Sequence, residues 1–157
     1  LSEFSGVKRR FTPVTALDKN IRIFDDYAHH PVEIEAVLES ARAVTKGRVM
    51  AVMQPHRYTR LRDLFEGFCA SMNGADTVLV TPVFEAGEAP IEGFDSGALV
   101  EGLRAHGHRH AIYVADNDQL ADVLAKEMQP EDVVIFMGAG SISAMAYAVA
   151  EKLGGTV

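Results

Sequence analysis

One stretch of the chain reads Val-Met-Ala-Val-Met at 49–53 and continues directly as Gln-Pro-His-Arg-Tyr-Thr-Arg at 54–60. The first part is a short, continuous apolar run, which is typical of a strand buried on both faces of a parallel sheet. The second part is polar and leads into apolar residues at helical spacing, which are Leu61, Leu64, Phe65, Phe68, Cys69 and Met72. The stretch therefore predicts a strand, a polar turn and a helix, the repeating unit of an α/β fold.

The same alternation occurs along most of the chain. Further apolar runs lie at 77–80, 112–114 and 133–137, and helical spacing recurs at 34–44, 96–103, 120–124 and 142–153. Ahead of them, Val7–Val14 and Ile21–Phe24 are predicted to form an antiparallel hairpin around the turn signal Asp18-Lys19-Asn20. We expect a three-layer α/β/α sandwich with a mainly parallel sheet and an N-terminal antiparallel edge strand. The long irregular stretch at 82–95 is a candidate functional loop.

Composition limits the classes of protein that this chain can represent. Its 157 residues are 48% hydrophobic, enough for a single domain with a full core. A formal charge of −7 argues against non-specific binding to nucleic acid. Cys69 is the only cysteine, so no internal disulfide is possible, and it lies on an apolar helix stripe that predicts a core position. No signal peptide or run long enough to cross a membrane is recognisable.

A second polar segment, Asp-Asp-Tyr-Ala-His-His-Pro at 25–31, also stands between an apolar run and a helical pattern. Pro31 suits the first position of a helix, which places His30 near the N-cap. An Asp at a strand end can accept hydrogen bonds from ribose hydroxyls, as in dinucleotide-binding folds. The alternative is that Asp25 and Asp26 cap a turn and that the histidines form a polar rim.

Arg57 and Arg60 are three residues apart at the predicted start of a helix, with Thr59 as a possible N-cap. Two guanidinium groups on one helix face suit a carboxylate or a phosphate. The alternative is that both are surface arginines paired with Asp63 or Glu66.

Other motifs have structural interpretations. Gly-Ala-Gly at 138–140 predicts a tight turn from strand to helix, in which the backbone approaches a neighbour or a ligand. The spacing of His29, His30 and His56 does not support a metal site. His106, His108 and His110 flank Gly107 and are predicted to be exposed in a loop. No Gly-x-x-x-x-Gly-Lys-Ser/Thr phosphate loop is present in the sequence.

The segments at 25–31 and 54–60 resemble the C-terminal domain of the Mur ligase family. Further matches are Gly-Val-Lys-Arg-Arg-Phe at 6–11, Ala-Gly-Glu-Ala-Pro-Ile at 86–91 and Gly-Ala-Gly at 138–140. The resemblance implies a Rossmann-like domain at 6–157, preceded by a hinge remnant at 1–5. The family consists of ATP-dependent ligases that form amide bonds in peptidoglycan synthesis, so the resemblance implies a bacterial, cytoplasmic protein with this activity. The resemblance also implies that the reaction proceeds through an acyl phosphate and that the phosphate loop lies on a central domain.

The His-Arg-Tyr-Thr-Arg run resembles the branch of the family that adds L-alanine to UDP-N-acetylmuramate. The resemblance implies that Arg10 and Asp26 face ATP, and that Tyr27, His29, His56, Arg57 and Arg60 surround the amino acid and the transferred phosphate. His29 and Arg57 are the catalytic candidates. The resemblance implies ATP and Mg²⁺ as cofactors of the whole enzyme, and this domain alone is expected to hold neither. The isolated domain is therefore expected to be inactive. A stand-alone nucleotide-binding or interaction module remains the alternative.

Overall fold

The computed structural model of the protein describes residues 9–155, so the predicted hinge remnant at 1–5 lies outside the described residues. The strands are β1 Thr12–Leu17, β2 Ile21–Asp26, β3 Val49–Met53, β4 Thr77–Val80, β5 Ala111–Tyr113 and β6 Val133–Met137. The helices are α1 Pro31–Ala43, α2 Tyr58–Asp63, α3 Phe65–Ser71, α4 Ser96–Ala105, α5 Leu120–Glu127 and α6 Ile142–Lys152, with short 3₁₀ turns at Asp18–Asn20 and Asn117–Gln119. Within the described part of the chain, no helix has the length and apolar character needed to cross a membrane.

The strands form one six-stranded sheet in the order β1-β2-β6-β3-β4-β5. β1 runs antiparallel to β2, and the remaining neighbours are all parallel. The predicted α/β/α sandwich with an antiparallel edge strand is therefore confirmed. Because β6 lies between β2 and β3, the last strand along the chain is at the centre of the sheet.

The apolar runs supply both faces of the sheet. In β6, Val133, Ile135 and Met137 belong to one core cluster, whereas Val134 and Phe136 belong to the other. Apolar residues of α1 to α4 cover the first face, and those of α5 and α6 cover the second. A strand that is buried on both faces needs apolar residues at every position, which explains why these runs do not alternate with polar residues.

The first strand differs from its prediction. It begins at Thr12 and ends at Leu17, three residues beyond the predicted end, and its register with β2 shifts between Pro13 and Thr15. The predicted start at residues 7–8 lies outside the described part of the chain. Phe11 has a φ of 49°, which is incompatible with regular strand geometry and keeps residue 11 out of the strand. The turn at 18–20 is confirmed, with left-handed backbone at Lys19 and Asn20.

The helix predicted after β3 is divided in two. Leu64 has a φ of −117° and a ψ of 21°, so it ends α2 and precedes α3. Apolar spacing continues across this break and could not reveal it. The break lets α3 pack tightly on the start of α1, where a Cβ on Gly67 would lie only 3.1 Å from Pro31 Cγ.

Candidate functional site

Three segments meet at one edge of the sheet. Met137 at the end of β6 is in register with Asp26 at the end of β2 and with Met53 at the end of β3. The carboxyl ends of the parallel strands therefore bring residues 27–31, 54–60 and 138–141 together. This edge of an open α/β sheet is where such folds bind ligands.

A cleft of about 540 Å³ opens between these segments. Its lining includes five of the residues that sequence reasoning selected, namely Tyr27, His29, His56, Arg57 and Arg60. Ala139 from the glycine turn and Leu64 from the helix break also line it. Residues that are distant along the chain thus form one cationic and aromatic surface.

A second groove of about 350 Å³ lies beside the first and shares Tyr27 with it. It contains the two remaining predicted residues, Arg10 and Asp26, over apolar positions of α1 such as Val37. The two sets of predicted residues therefore occupy two adjacent depressions on the same edge.

Asp26 is 5% exposed, and its carboxylate has a structural role. One oxygen accepts the N–H of Phe11 at 2.6 Å, and the other accepts the N–H of Ala28 at 2.8 Å. Burial raises the pKa of Asp26 above its usual value, against the effect of these hydrogen bonds. Asp26 thus caps the turn after β2, as the alternative interpretation proposed, while it still borders the groove. Asp25 is buried and accepts hydrogen bonds from Arg9 and Ser143.

Glu33 organises the histidine segment, and sequence reasoning did not select it. Its Oε1 accepts the N–H groups of His29 and His30 at 3.1 and 3.2 Å, and it lies 3.7 Å from His29 Nδ1. Burial opposes ionisation, but these contacts lower the pKa of Glu33 overall. His30 is the N-cap and Pro31 the first helical residue, as predicted. An acidic residue three positions after an N-cap is a capping-box spacing, so the sequence did carry a signal for Glu33.

The residue before α2 has an unusual backbone conformation. Arg57 has a φ of 73°, and its N–H donates to the carbonyl oxygen of Phe84 at 2.8 Å. Phe84 donates its own N–H to the carbonyl oxygen of Pro55, which joins the long loop to the site segment. Arg57, and not Thr59, is the N-cap, so the prediction for Thr59 is wrong. The Thr59 hydroxyl instead donates to Glu88 in the loop at 2.6 Å.

The side-chain partners of the two arginines are also different from those expected. Arg57 Nη1 lies 4.0 Å from Glu88, and Arg60 Nη1 donates to His56 Nδ1 at 3.0 Å. The predicted alternative partners pair elsewhere: Asp63 with Arg62 and Glu66 with His106. Hydrogen bonds from the hydroxyl and then the N–H of Thr59 lower the pKa of Glu88.

Two histidines of the cleft, His30 and His56, lie in an environment that disfavours protonation. Burial, and then the positive charges of Arg60 and Arg57, lower the pKa of His56 below its usual value. Burial, followed by His29 and Arg60, likewise lowers the pKa of His30. His56 also stacks on Phe84, with ring centroids 5.4 Å apart. The cleft therefore holds permanent positive charge on its arginines and uncharged imidazole on these two histidines near neutral pH.

The glycine turn at 138–140 is confirmed as a close approach of backbone to neighbouring groups. Gly138 has a φ of 154°, and a Cβ there would lie 3.0 Å from the carbonyl oxygen of Gln54. Gln54 is buried, accepts the N–H of Ile142 at 3.1 Å and donates to the Ser141 hydroxyl at 3.0 Å. Gln54 thereby fixes the start of α6 against the segment that carries His56.

Gly140→Ala is expected to lower the free energy of unfolding by about 1–3 kcal/mol, the usual cost of overpacking. A Cβ at this position would lie 2.6 Å from the ring of Phe84 and 2.9 Å from Gln54 Oε1, so both must move. The matched control is Gly97→Ala in α4, whose Cβ would meet nothing closer than Asp95 Oδ1 at 3.5 Å and should leave stability equal or higher. Urea unfolding of both variants measures the difference, and equal stabilities would contradict the close packing.

Of two other sequence predictions, one is confirmed and one is wrong in part. Cys69 is fully buried, and burial raises its pKa to about 11, which confirms a core role. His106 and His110 are exposed, but His108 is 7% exposed, so that prediction is wrong. Nε2 of His108 bonds the carbonyl oxygen of Ala75 at 2.8 Å, a contact across the fold that local sequence does not reveal.

Between residues 9 and 155, no group of three or more His, Cys, Asp or Glu side chains is placed to hold a metal ion.

Comparison with known proteins gives a consistent result. The family model described as "Mur ligase, glutamate ligase domain" matches residues 9–140. A UDP-N-acetylmuramate–L-alanine ligase of Phenylobacterium zucineum is 55% identical over 153 residues, which are 98% of this chain and 32% of the relative. The chain therefore spans about a third of the length of the curated relative that it matches.

Solved structures show the same fold. The UDP-N-acetylmuramate–alanine ligase of Thermotoga maritima matches with a TM-score of 0.74 and 29% identity, over 97% of this chain and 31% of that one. A domain assigned to a UDP-N-acetylmuramate:L-alanyl-gamma-D-glutamyl-diaminopimelate ligase of Haemophilus ducreyi matches with a TM-score of 0.68 and 25% identity, over 92% of this chain and 100% of that one. A domain of this size and fold has thus been crystallised without the rest of a ligase.

Proposed function

Because this chain belongs to the Mur ligase family, we propose that it is the C-terminal domain of a ligase that joins L-alanine to UDP-N-acetylmuramate with ATP. In this reaction ATP phosphorylates the muramoyl carboxylate, the amine of L-alanine attacks the acyl phosphate, and inorganic phosphate leaves. The domain, which we place at 6–157, contributes the amino-acid side of the site. A cytoplasmic location belongs to the same proposal.

The convergence of Tyr27, His29, His56, Arg57 and Arg60 on one cleft is the observation that carries the proposal. The Arg57 side chain is 47% exposed, and its nearest carboxylate within the described chain is Glu88 at 4.0 Å. Glu88 is already engaged by the hydroxyl and N–H of Thr59. The guanidinium of Arg57 is therefore available to an incoming anion, for which its planar donor fork is well suited.

The chemistry of the step fits such a surface. The carboxylate of L-alanine and the departing phosphate both carry negative charge, and both must be held near the reacting carbonyl. Phosphoryl and acyl-phosphate chemistry depends mainly on positioning and charge stabilisation rather than on covalent help from the protein. We assign Arg57 and Arg60 to these anions, with Tyr27, His29 and His56 around them.

The second groove supports a nucleotide role for Arg10 and Asp26. Its apolar surface along α1 suits a base or a ribose, and Arg10 is exposed at its rim. Each carboxylate oxygen of Asp26 accepts a hydrogen bond from one backbone N–H group, but each can accept more than one hydrogen bond. We assign the phosphate loop and the Mg²⁺ that accompanies the ATP phosphates to the remainder of the ligase.

The test is the amino-acid dependence of phosphate release by the ligase that carries this domain. With ATP and UDP-N-acetylmuramate present, L-alanine is expected to support turnover and D-glutamate is not. The description of the matching family model names a glutamate ligase domain, so D-glutamate is the alternative amino-acid substrate to compare with L-alanine. Turnover that depends on D-glutamate, or on neither amino acid, would refute the assignment of L-alanine.

A further inference from the structure

Two histidines of the cleft have opposite hydrogen-bonding environments. The rings of His29 and His56 are neighbours in an edge-type arrangement, with centroids 6.3 Å apart and planes inclined by 64°, and both line the cleft. In each ring Nδ1 has a close partner, whereas Nε2 has no hydrogen bond to any residue in the range 9–155. The partner of Nδ1 therefore decides what Nε2 can do in the neutral ring.

His29 Nδ1 lies 2.8 Å from the carbonyl oxygen of Tyr27 and 3.7 Å from Glu33 Oε1. A carbonyl oxygen and a carboxylate can only accept hydrogen bonds, so Nδ1 must carry the proton. In the neutral ring, Nε2 of His29 then has a free lone pair.

His56 Nδ1 lies 3.0 Å from Arg60 Nη1, and the same guanidinium nitrogen donates to the His56 carbonyl oxygen at 3.1 Å. A guanidinium has donors and no acceptor, so Nδ1 of His56 must be the unprotonated nitrogen. In the neutral ring, Nε2 of His56 is then an N–H donor. Protonation of Nδ1 would break the bond to Arg60 and place two positive groups in contact.

We propose that His29 and His56 are held in opposite tautomers, so that His29 Nε2 accepts the proton of the incoming ammonium group and His56 Nε2–H donates to an oxygen of the acyl phosphate. This proposal rests on the proposed function. The ammonium of the amino acid gives one proton to His29, which becomes imidazolium, and the amine keeps the lone pair that attacks the carbonyl carbon. As the N–C bond forms, the C–O bond to the phosphate breaks, and inorganic phosphate leaves with that electron pair and with the second proton of the amine. Arg60 acts as a positioning residue because it sets the tautomer of His56, and the carbonyl oxygen of Tyr27 sets that of His29.

Long-range ¹H–¹⁵N correlation spectra of the ¹⁵N-labelled chain test the tautomers directly. The measurement is made near pH ~8, above the ordinary His pKa of about 6.5, and His29→Gln and His56→Gln identify the two signals. His29 is expected with its proton on Nδ1 and His56 with its proton on Nε2. The same tautomer in both rings would overturn the proposal.

Arg60→Met removes the donor to His56 and keeps the apolar stem. It is expected to convert the His56 signal into that of a tautomer mixture and to leave His29 unchanged. Arg62→Met is the matched control on the same helix and should change neither ring. A His56 signal that is unaffected by Arg60→Met would overturn the role of Arg60. These spectra require no turnover, so their failure is distinct from failure of the L-alanine assignment.

Kinetics of the ligase test the proton acceptor. His29→Gln is expected to lower kcat about 100-fold or more near neutral pH, and the loss should shrink as rising pH deprotonates the amine without help. The titratable groups facing His29 are Tyr27, Glu33 and His30 from its own segment and adjoining helix, and His56 from the segment after β3. A loss of kcat that is the same at every pH would contradict the role of His29 as proton acceptor.

Discussion

Arg57→Ala in the ligase that carries this domain is expected to raise the KM for L-alanine about 10- to 100-fold, since a hydrogen bond to a charged group contributes about 1.5–3 kcal/mol. The half-exposed guanidinium of Arg57 has one distant carboxylate partner in the described chain, so its main loss on truncation is the bond to the ligand. The KM for UDP-N-acetylmuramate should stay within about twofold, because Arg57→Ala removes a binding interaction with L-alanine and none with UDP-N-acetylmuramate.

The matched control is Arg62→Ala. Arg62 lies on α2, the helix that Arg57 caps, and is 46% exposed, but it pairs with Asp63 and does not line the cleft. Initial rates of phosphate release against L-alanine concentration should shift for Arg57→Ala alone. Equal KM values for L-alanine in both variants would contradict the role of Arg57.

Much of the fold could be predicted because its determinants are local. Continuous apolar runs such as 49–53 and 133–137 identified buried parallel strands, and helical spacing identified the covering layers. The polar segments at 25–31 and 54–60 were placed correctly because the carboxyl ends of parallel strands share one edge.

The errors concern contacts that are distant along the chain. The end of α2 at Leu64 leaves the apolar spacing intact, so periodicity could not locate it. Thr59 has good N-cap chemistry, but Glu88 takes its hydroxyl and Phe84 holds Arg57 in the N-cap position. His108 is buried by a hydrogen bond to Ala75 across 33 residues.

Positioning groups were the part of the site that sequence reasoning missed. Glu33 binds the N–H groups of His29 and His30, and Glu88 binds the N–H and hydroxyl of Thr59. Gln54 binds the start of α6. Glu33 has a sequence signal, its capping-box position, whereas Gln54 and Glu88 are recognisable only from the distances that folding creates.

This chain alone is expected to show no L-alanine-dependent turnover, the largest effect that the proposed function predicts. The described cleft has the hydrogen-bond donors that the proposed function assigns to the amino acid and the phosphate, and the sequence has no Gly-x-x-x-x-Gly-Lys-Ser/Thr loop to hold the phosphates of ATP. Without that loop the acyl phosphate cannot form, so binding groups have no activated substrate to act on. The control is thermal unfolding of the chain alone. A cooperative transition is expected, because a domain of this kind crystallises alone, and it would show that inactivity is not due to loss of folding.

According to the proposed function, this domain forms the amino-acid side of a divided ligase site. The most direct measurement is phosphate release from ATP and UDP-N-acetylmuramate, with and without L-alanine, by this chain and by the ligase that carries it. Turnover is predicted only for the ligase and only with L-alanine. Release of phosphate by this chain alone in the presence of L-alanine would contradict the account.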